Sequence, residues 1–145
     1  AELQHAGLAR GPAAADGVPL GQDDMPVDAA REVLGDRAII GLSTHSVEQA
    51  RDAARMAVDY IAIGPIFDTV TKERPDPVVG LGLLQEVRQA IGPISLVAIG
   101  GIHEENLQQA LMCGADAVAL ISSLLKNSIS IEDQMMRLSR IANGI

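Results

Sequence analysis

The sequence predicts an α/β protein built on a parallel sheet, and three observations carry that expectation. Short apolar runs recur along the chain: "GVPLG" (17–21), "AIIGLS" (38–43), "YIAIGPIF" (60–67), "SLVAIGG" (95–101) and "AVALIS" (117–122). Each is rich in Ile and Val and apolar without alternation, the pattern of a strand buried on both faces. Segments of helical period separate them, and successive strand ends fall mostly about 20 to 35 residues apart, the length of one β/α unit. Strand and helix alternating in this way give a parallel sheet with right-handed crossovers.

Each element has its own signal. After the first run, Asp23 and Asp24 stand before Pro26, where the macrodipole at a helix start favours negative charge. In "SVEQARDAARMAV" (46–58), Ser46 with Gln49 three residues on forms a capping box, and Val47, Ala50, Ala54 and Ala57 share one face. "LGLLQEVRQAIG" (81–92) stops at Gly92, followed by Pro93. "EENLQQALMCG" (104–114) ends on Gly114, and "SIEDQMMRLSRIANG" (130–144) starts with Ser130 and Asp133 and ends on Gly144. The chain of 145 residues is expected to form one domain, with residues 1–15 an irregular lead-in.

Composition narrows the function. Hydrophobic residues make up 48% of the chain, but it holds one Phe, one Tyr and no Trp, so a base-stacking surface is not expected. The net charge of −8 argues the same way, because binding a polyanion requires a basic patch. No nucleic-acid partner is expected. The single Cys113 excludes an intrachain disulfide framework and suits a reducing, cytoplasmic setting. No apolar run is long enough for a membrane span, and the first residues lack a signal-peptide core.

Chemistry belongs at the carboxyl ends of the strands in either architecture open to this pattern, a doubly wound sheet or a (β/α)8 barrel. Those ends carry Gly21, Gln22, Asp23 and Asp24; Ser43, Thr44 and His45; the loop from Asp68 to Gly80; Gly100 and Gly101; and Ile121, Ser122 and Ser123. The set is small, polar and Gly-rich, and suits a phosphorylated ligand. Gly100 and Gly101 let backbone approach a ligand at a helix start near Glu104. "TVTK" (69–72) adds two hydroxyls and an ammonium, enough to hold phosphate oxygens and neutralise a leaving group. Asp23 and Asp24 read either as helix-start residues or as ligands to Mg²⁺. His45 lacks partners at metal-ligand spacing and reads as a structural hydrogen bonder.

"GQDDMP", "GLSTHS", "DYIAIGPIFDTVTK", "GLGLLQEVRQAI", "VAIGGI" and "GADAVALISSL" occur in order. Together they resemble the thiamine phosphate synthase family, over about Asp16 to Leu125. The resemblance implies a TIM (β/α)8 barrel fold, here a partial barrel of about five β/α units with parallel strands. It also implies an Mg²⁺-dependent transfer of the hydroxymethylpyrimidine group from its diphosphate to hydroxyethylthiazole phosphate, with release of pyrophosphate. Carried onto matching positions, Asp24 becomes an Mg²⁺ ligand and Ser43 touches the pyrimidine diphosphate. Thr69, Val70 and Thr71 contact the thiazole phosphate, Lys72 meets the departing pyrophosphate, and Gly101, Ile121 and Ser122 hold the thiazole phosphate.

The family's basic "QLREK"-like segment and its Asn-Asp pair are not found in residues 1–16, and Pro19 stands where the family usually has His. The chain is therefore expected to be the carboxyl-terminal five-eighths of a barrel, a fragment or a short homologue, weakly active on its own. Open strand edges favour association into a homo-oligomer. A thiazole tautomerase-like isomerase and a non-catalytic thiazole-phosphate-binding module are the competing readings.

Overall fold

The computed structural model describes residues 16–69, 77–120 and 130–144. Its strands are β1 (Gly17–Leu20), β2 (Ile39–Thr44), β3 (Tyr60–Ile63), β4 (Ser95–Ala98) and β5 (Ala117–Val118). All pairings are parallel, in the order β1-β2-β3-β4-β5. That order decides between the two architectures. A doubly wound sheet reverses its strand order at a switch point, whereas barrel units simply follow one another. These strands show no reversal, so they form consecutive units of the barrel kind.

The helices are α1 (Val27–Leu34), α2 (Val47–Ala53), α3 (Gly80–Ile91), α4 (Leu107–Met112) and α5 (Ile131–Ala142). In α1 the buried residues Val27, Ala30 and Leu34 recur at helical spacing, so one stripe meets the sheet. Asp23 and Asp24 lie in the turn before this helix rather than in it, and Asp28 is the acidic residue of its first turn.

Ser46 caps α2 by accepting from the Gln49 amide at 3.1 Å. Gln49 reaches back one residue further than a capping box requires, its Oε1 accepting from the amide of His45 at 2.8 Å. The helix stops at Ala53, short of the expected 58. Ala53 joins Ala50 in the core while Ala57 is exposed. Two of the others agree better with their signals: α3 ends at Gly92 with φ +66, and Ser130 caps α5 through the amide of Asp133 at 3.1 Å.

Rows of apolar side chains run across the strands on the helix-covered face. Val18 and Leu20 of β1 face Ile40 and Leu42 of β2, Leu42 faces Ile61, and Ile61 faces Leu96. These residues join Ala30, Leu84, Val87 and Leu107 in one core. On the other face the Tyr60 ring lies over Gly41, where any Cβ would collide with it. Burial pushes the Tyr60 phenol pKa up. Burial on both faces holds for the middle of the sheet, in β2 and β3. It does not hold for β1 or β4, whose residues alternate because Pro19 and Ser95 stand exposed on the face away from the helices.

The amino-terminal edge of the sheet carries the same ionic arrangement twice. Arg31 of α1 donates to Asp59 Oδ2 at 2.8 Å and to the carbonyls of Ala38 and Ala57 at 2.5 and 2.8 Å. The Ile40 amide donates to the same Asp59 oxygen at 2.7 Å. Arg88 of α3 donates to Asp116 Oδ2 at 2.8 Å and to the carbonyls of Gly92 and Ile94, while the Leu96 amide donates to Asp116 Oδ2 at 2.8 Å. In each case an arginine on a helix fastens the carboxylate that precedes a strand, and that carboxylate in turn satisfies the amide of the neighbouring strand.

Among the described residues, no helix is long and apolar enough to cross a membrane.

Candidate active site

The carboxyl edge is built differently, from short turns and backbone rather than ion pairs. After β1, the Gly21 amide donates to Asp24 Oδ2 at 2.6 Å and the Asp24 amide returns to the Gly21 carbonyl at 3.3 Å. This closed turn orients the exposed carboxylate of Asp24. Its second oxygen, Oδ1, takes no hydrogen bond among the described residues. Next to it, Gln22 Nε2 donates to the Ser43 carbonyl at 2.7 Å and so ties the end of β1 to the end of β2.

Ser43 is half-buried and pairs in register with Ala62, while buried Thr44 donates its hydroxyl to the Ala62 carbonyl at 2.9 Å. His45 Nδ1 lies 2.6 Å from the Gly64 carbonyl. A carbonyl only accepts, so Nδ1 carries the proton. The histidine thus makes the structural hydrogen bond expected of it.

Pairing of β3 and β4 continues past the regular strands. Ile99 donates to the Ile63 carbonyl, Ile66 to that of Ile99 and Phe67 to that of Gly100, at 3.0, 2.9 and 3.1 Å. The long loop leaves at Phe67 and is closed where the Val79 amide donates to the Pro65 carbonyl at 2.8 Å. This close pairing accounts for the two glycines. Gly100 and Gly101 have φ +88 and +64. A Cβ on Gly100 would lie 2.6 Å from Pro65 Cα, and one on Gly101 would overlap the carbonyls of Phe67 and Asp68. The glycines therefore serve the approach of the neighbouring loop, whatever else they bind. Among the described residues, neither glycine amide makes a hydrogen bond, so both remain available as donors.

The helix after β4 does not begin near Glu104, as its periodicity suggests. α4 starts only at Leu107, and the amides of Asn106 and Leu107 both donate to the His103 carbonyl at 3.1 and 3.0 Å. Those donors are engaged in the turn itself. Among the described residues, the glycine amides before the turn are not engaged in this way.

Asp24 lies in the turn after β1, Ser43 is the penultimate residue of β2, Thr69 lies in the loop after β3 and Gly101 follows β4, all toward the carboxyl ends of their strands. Three strand spacings separate the first from the last, about 14 Å along the sheet. Val70, Thr71, Lys72, Ile121 and Ser122 lie outside the described residues. Among the described residues, no group of three or more His, Cys, Asp or Glu side chains is arranged to hold a metal. Asn106, which no sequence signal marks, is a buried amide at the β4 end whose side chain bonds the turn around Gly101. The periodicity places Asn106 inside a helix from 104, where an amide carries no signal of its own, and the late start of α4 is what frees it.

Residues 4–124 match the family model for thiamine monophosphate synthase. The chain belongs to the thiamine monophosphate synthase family.

The thiamine-phosphate synthase of Dictyoglomus turgidum is 42% identical over 130 residues, 90% of this chain and 57% of that protein. The thiamine-phosphate synthase of Pelotomaculum thermopropionicum is 51% identical over 111 residues, 77% of this chain and 50% of that protein. Among solved structures, thiamine phosphate pyrophosphorylase from Pyrococcus furiosus superposes with a TM-score of 0.81 at 33% identity, covering 96% of this chain and 64% of that one. Phosphoribosyl anthranilate isomerase from Thermotoga maritima, 17% identical with a TM-score of 0.64 over 90% of this chain and 63% of that one, shares the fold alone. The chain spans about half to three-fifths of the curated synthases it matches.

Proposed function

We propose that this chain carries the thiazole-phosphate and metal-diphosphate side of a thiamine phosphate synthase, the transferase that joins hydroxymethylpyrimidine diphosphate to hydroxyethylthiazole phosphate. The observation that carries the reading is the shared edge. In a chain of this family, Asp24, Ser43, Thr69 and Gly101 lie in or just beyond the carboxyl ends of successive parallel strands, the end where barrel enzymes keep their chemistry.

In the proposed reaction the bond between the pyrimidine methylene carbon and the diphosphate oxygen breaks, and its electron pair leaves with pyrophosphate. The thiazole ring nitrogen then supplies the pair that closes the new carbon–nitrogen bond. No protein nucleophile is needed, so the side chains bind, orient and balance charge. The free amides of Gly100 and Gly101 are suited to the thiazole phosphate, with Thr69, Val70, Thr71, Ile121 and Ser122 assigned to the same ligand by the family pattern. Ser43 is assigned to the pyrimidine diphosphate and Lys72 to the departing pyrophosphate.

Asp24 fits Mg²⁺ in a limited sense. Its turn leaves one exposed oxygen available, and Mg²⁺ commonly takes one or two carboxylates with substrate phosphates and water making up the rest. When bound, the ion offsets negative charge on the diphosphate. The single Cys113 suits the reducing interior of a cytoplasm.

Calorimetry on the purified chain tests the reading. Hydroxyethylthiazole phosphate is expected to bind without Mg²⁺, whereas any binding of the pyrimidine diphosphate is expected to require it. Failure to bind either ligand overturns the proposal.

A further inference from the structure

We infer that Asn106 is a positioning residue that holds the Gly100–Gly101 turn in its anion-binding shape, an inference that rests on the proposed role of that turn. As the residue preceding α4, Asn106 would ordinarily aim its side-chain oxygen forward at the first helical amides. It makes no such cap. The side chain is 9% exposed and turns back into the loop, where its Oδ1 accepts from the His103 amide at 2.8 Å. Its Nδ2 donates to the Gly101 carbonyl at 3.0 Å and contacts His103 Nε2 at 3.3 Å.

The two backbone partners settle which end of the amide is which. A main-chain N–H can only donate and a main-chain carbonyl can only accept, so oxygen faces His103 N and nitrogen faces Gly101 O. It follows that Nε2 of His103 is the unprotonated nitrogen of the imidazole, and the ring proton resides on Nδ1.

The mechanical consequence falls on Gly101. The Gly101 carbonyl held by Asn106 belongs to the Gly101–Ile102 peptide, and the Phe67–Asp68 backbone closes over the Gly101 Cα. The N–H groups of Gly100 and Gly101 belong to the two preceding peptides, whose Ile99 and Gly100 carbonyls accept from Ile66 and Phe67. With Asn106 holding the exit peptide as well, the turn is fixed on both sides of Gly101 and its N–H groups keep one direction before a ligand arrives, which lowers the ordering cost of binding. The buried amide thus organises a phosphate-binding turn that it does not itself touch.

The test compares wild type with N106A and the isosteric N106D in the 145-residue chain, using hydroxyethylthiazole phosphate as the probe. N106D keeps the acceptor for His103 N but sets an oxygen against the Gly101 carbonyl where the donor was, and the dispersion of each variant's ¹⁵N–¹H spectrum shows whether it has folded. N106A adds no charge, so a loss shared by both variants is not electrostatic. Both are expected to move the ¹⁵N–¹H resonances of Gly100 and Gly101 in the free protein. Both should weaken probe binding about tenfold or more, the equivalent of one hydrogen bond lost at a charged ligand. Unchanged glycine resonances and unchanged affinity in N106D overturn the inference. If wild type itself fails to bind the probe, the functional proposal falls, while the glycine resonances still decide whether Asn106 holds the turn.

Discussion

In the proposed function, Asp24 gives one carboxylate two purposes. Oδ2 closes the turn through Gly21, and Oδ1 is the oxygen proposed to meet a cation. Asp24→Asn keeps an acceptor for the turn and removes the charge, so melting should stay put while the Mg²⁺ requirement for diphosphate binding rises. Asp24→Ala should in addition cost about 0.5–1.5 kcal/mol in stability, for the lost hydrogen bond. Equal metal titrations for wild type and Asp24→Asn would remove the residue from the metal site. Gly101 makes the opposite case, a position where one methyl group has no room. Its φ of +64 and the overlying Phe67 and Asp68 carbonyls predict that Gly101→Ala costs about 2–4 kcal/mol. Chemical denaturation measures this, and a change below about 0.5 kcal/mol, the range of an ordinary surface substitution, would show that the loops are not closely apposed.

Between elements, the paired arginine clamps at the amino-terminal edge are the clearest device. Burial by itself raises the pKa of Asp59, but the Ile40 amide and the hydrogen bond and charge of Arg31 outweigh it, so the net shift is downward. A lowered folded pKa gives stability that is complete above the unfolded carboxylate value, about 3.9, and is lost as pH falls below it through the folded value. Asp59→Asn should therefore flatten the acid limb of a stability–pH curve below about pH 4 and leave its slope near neutrality unchanged. An identical acid limb in the variant would contradict the assignment. The half-exposed carboxylate keeps the size of this effect modest.

None of this clamp was legible in the sequence, because Arg31 and Asp59 lie 28 residues apart and meet only once β2 and β3 pair. The turn at Ser46 was legible, since a cap is a local interaction with a local signature. The length of α2 was not. Alanines favour a helix, yet the chain must leave it after Ala53 to deliver Asp59 to Arg31 and Tyr60 to the sheet. Asn106 was hidden for a related reason: the periodicity places it inside a helix from 104, and only the later start of α4 leaves its side chain to turn back toward Gly101.

At the scale of the whole molecule, alternating apolar runs and helices announced a parallel sheet, and the sheet followed. What they left open was the strand order, which depends on the side to which each crossover returns. The observed sequential order places the carboxyl ends of the described strands on one edge and the ionic clamps on the other, so the edge proposed to face the ligand lies opposite the clamped one. Ile61, fully buried at the centre of this arrangement, ties the two ends together, and Ile61→Ala should cost about 2–5 kcal/mol without favouring one edge. The division itself is tested most directly by mapping amide resonances of the 145-residue chain during titration with hydroxyethylthiazole phosphate. The account predicts shifts at Thr69, Gly100 and Gly101 while Ile40, Asp59, Leu96 and Asp116 stay in place. Shifts centred on Asp59 and Asp116, or none at the glycines under saturating ligand, would contradict it.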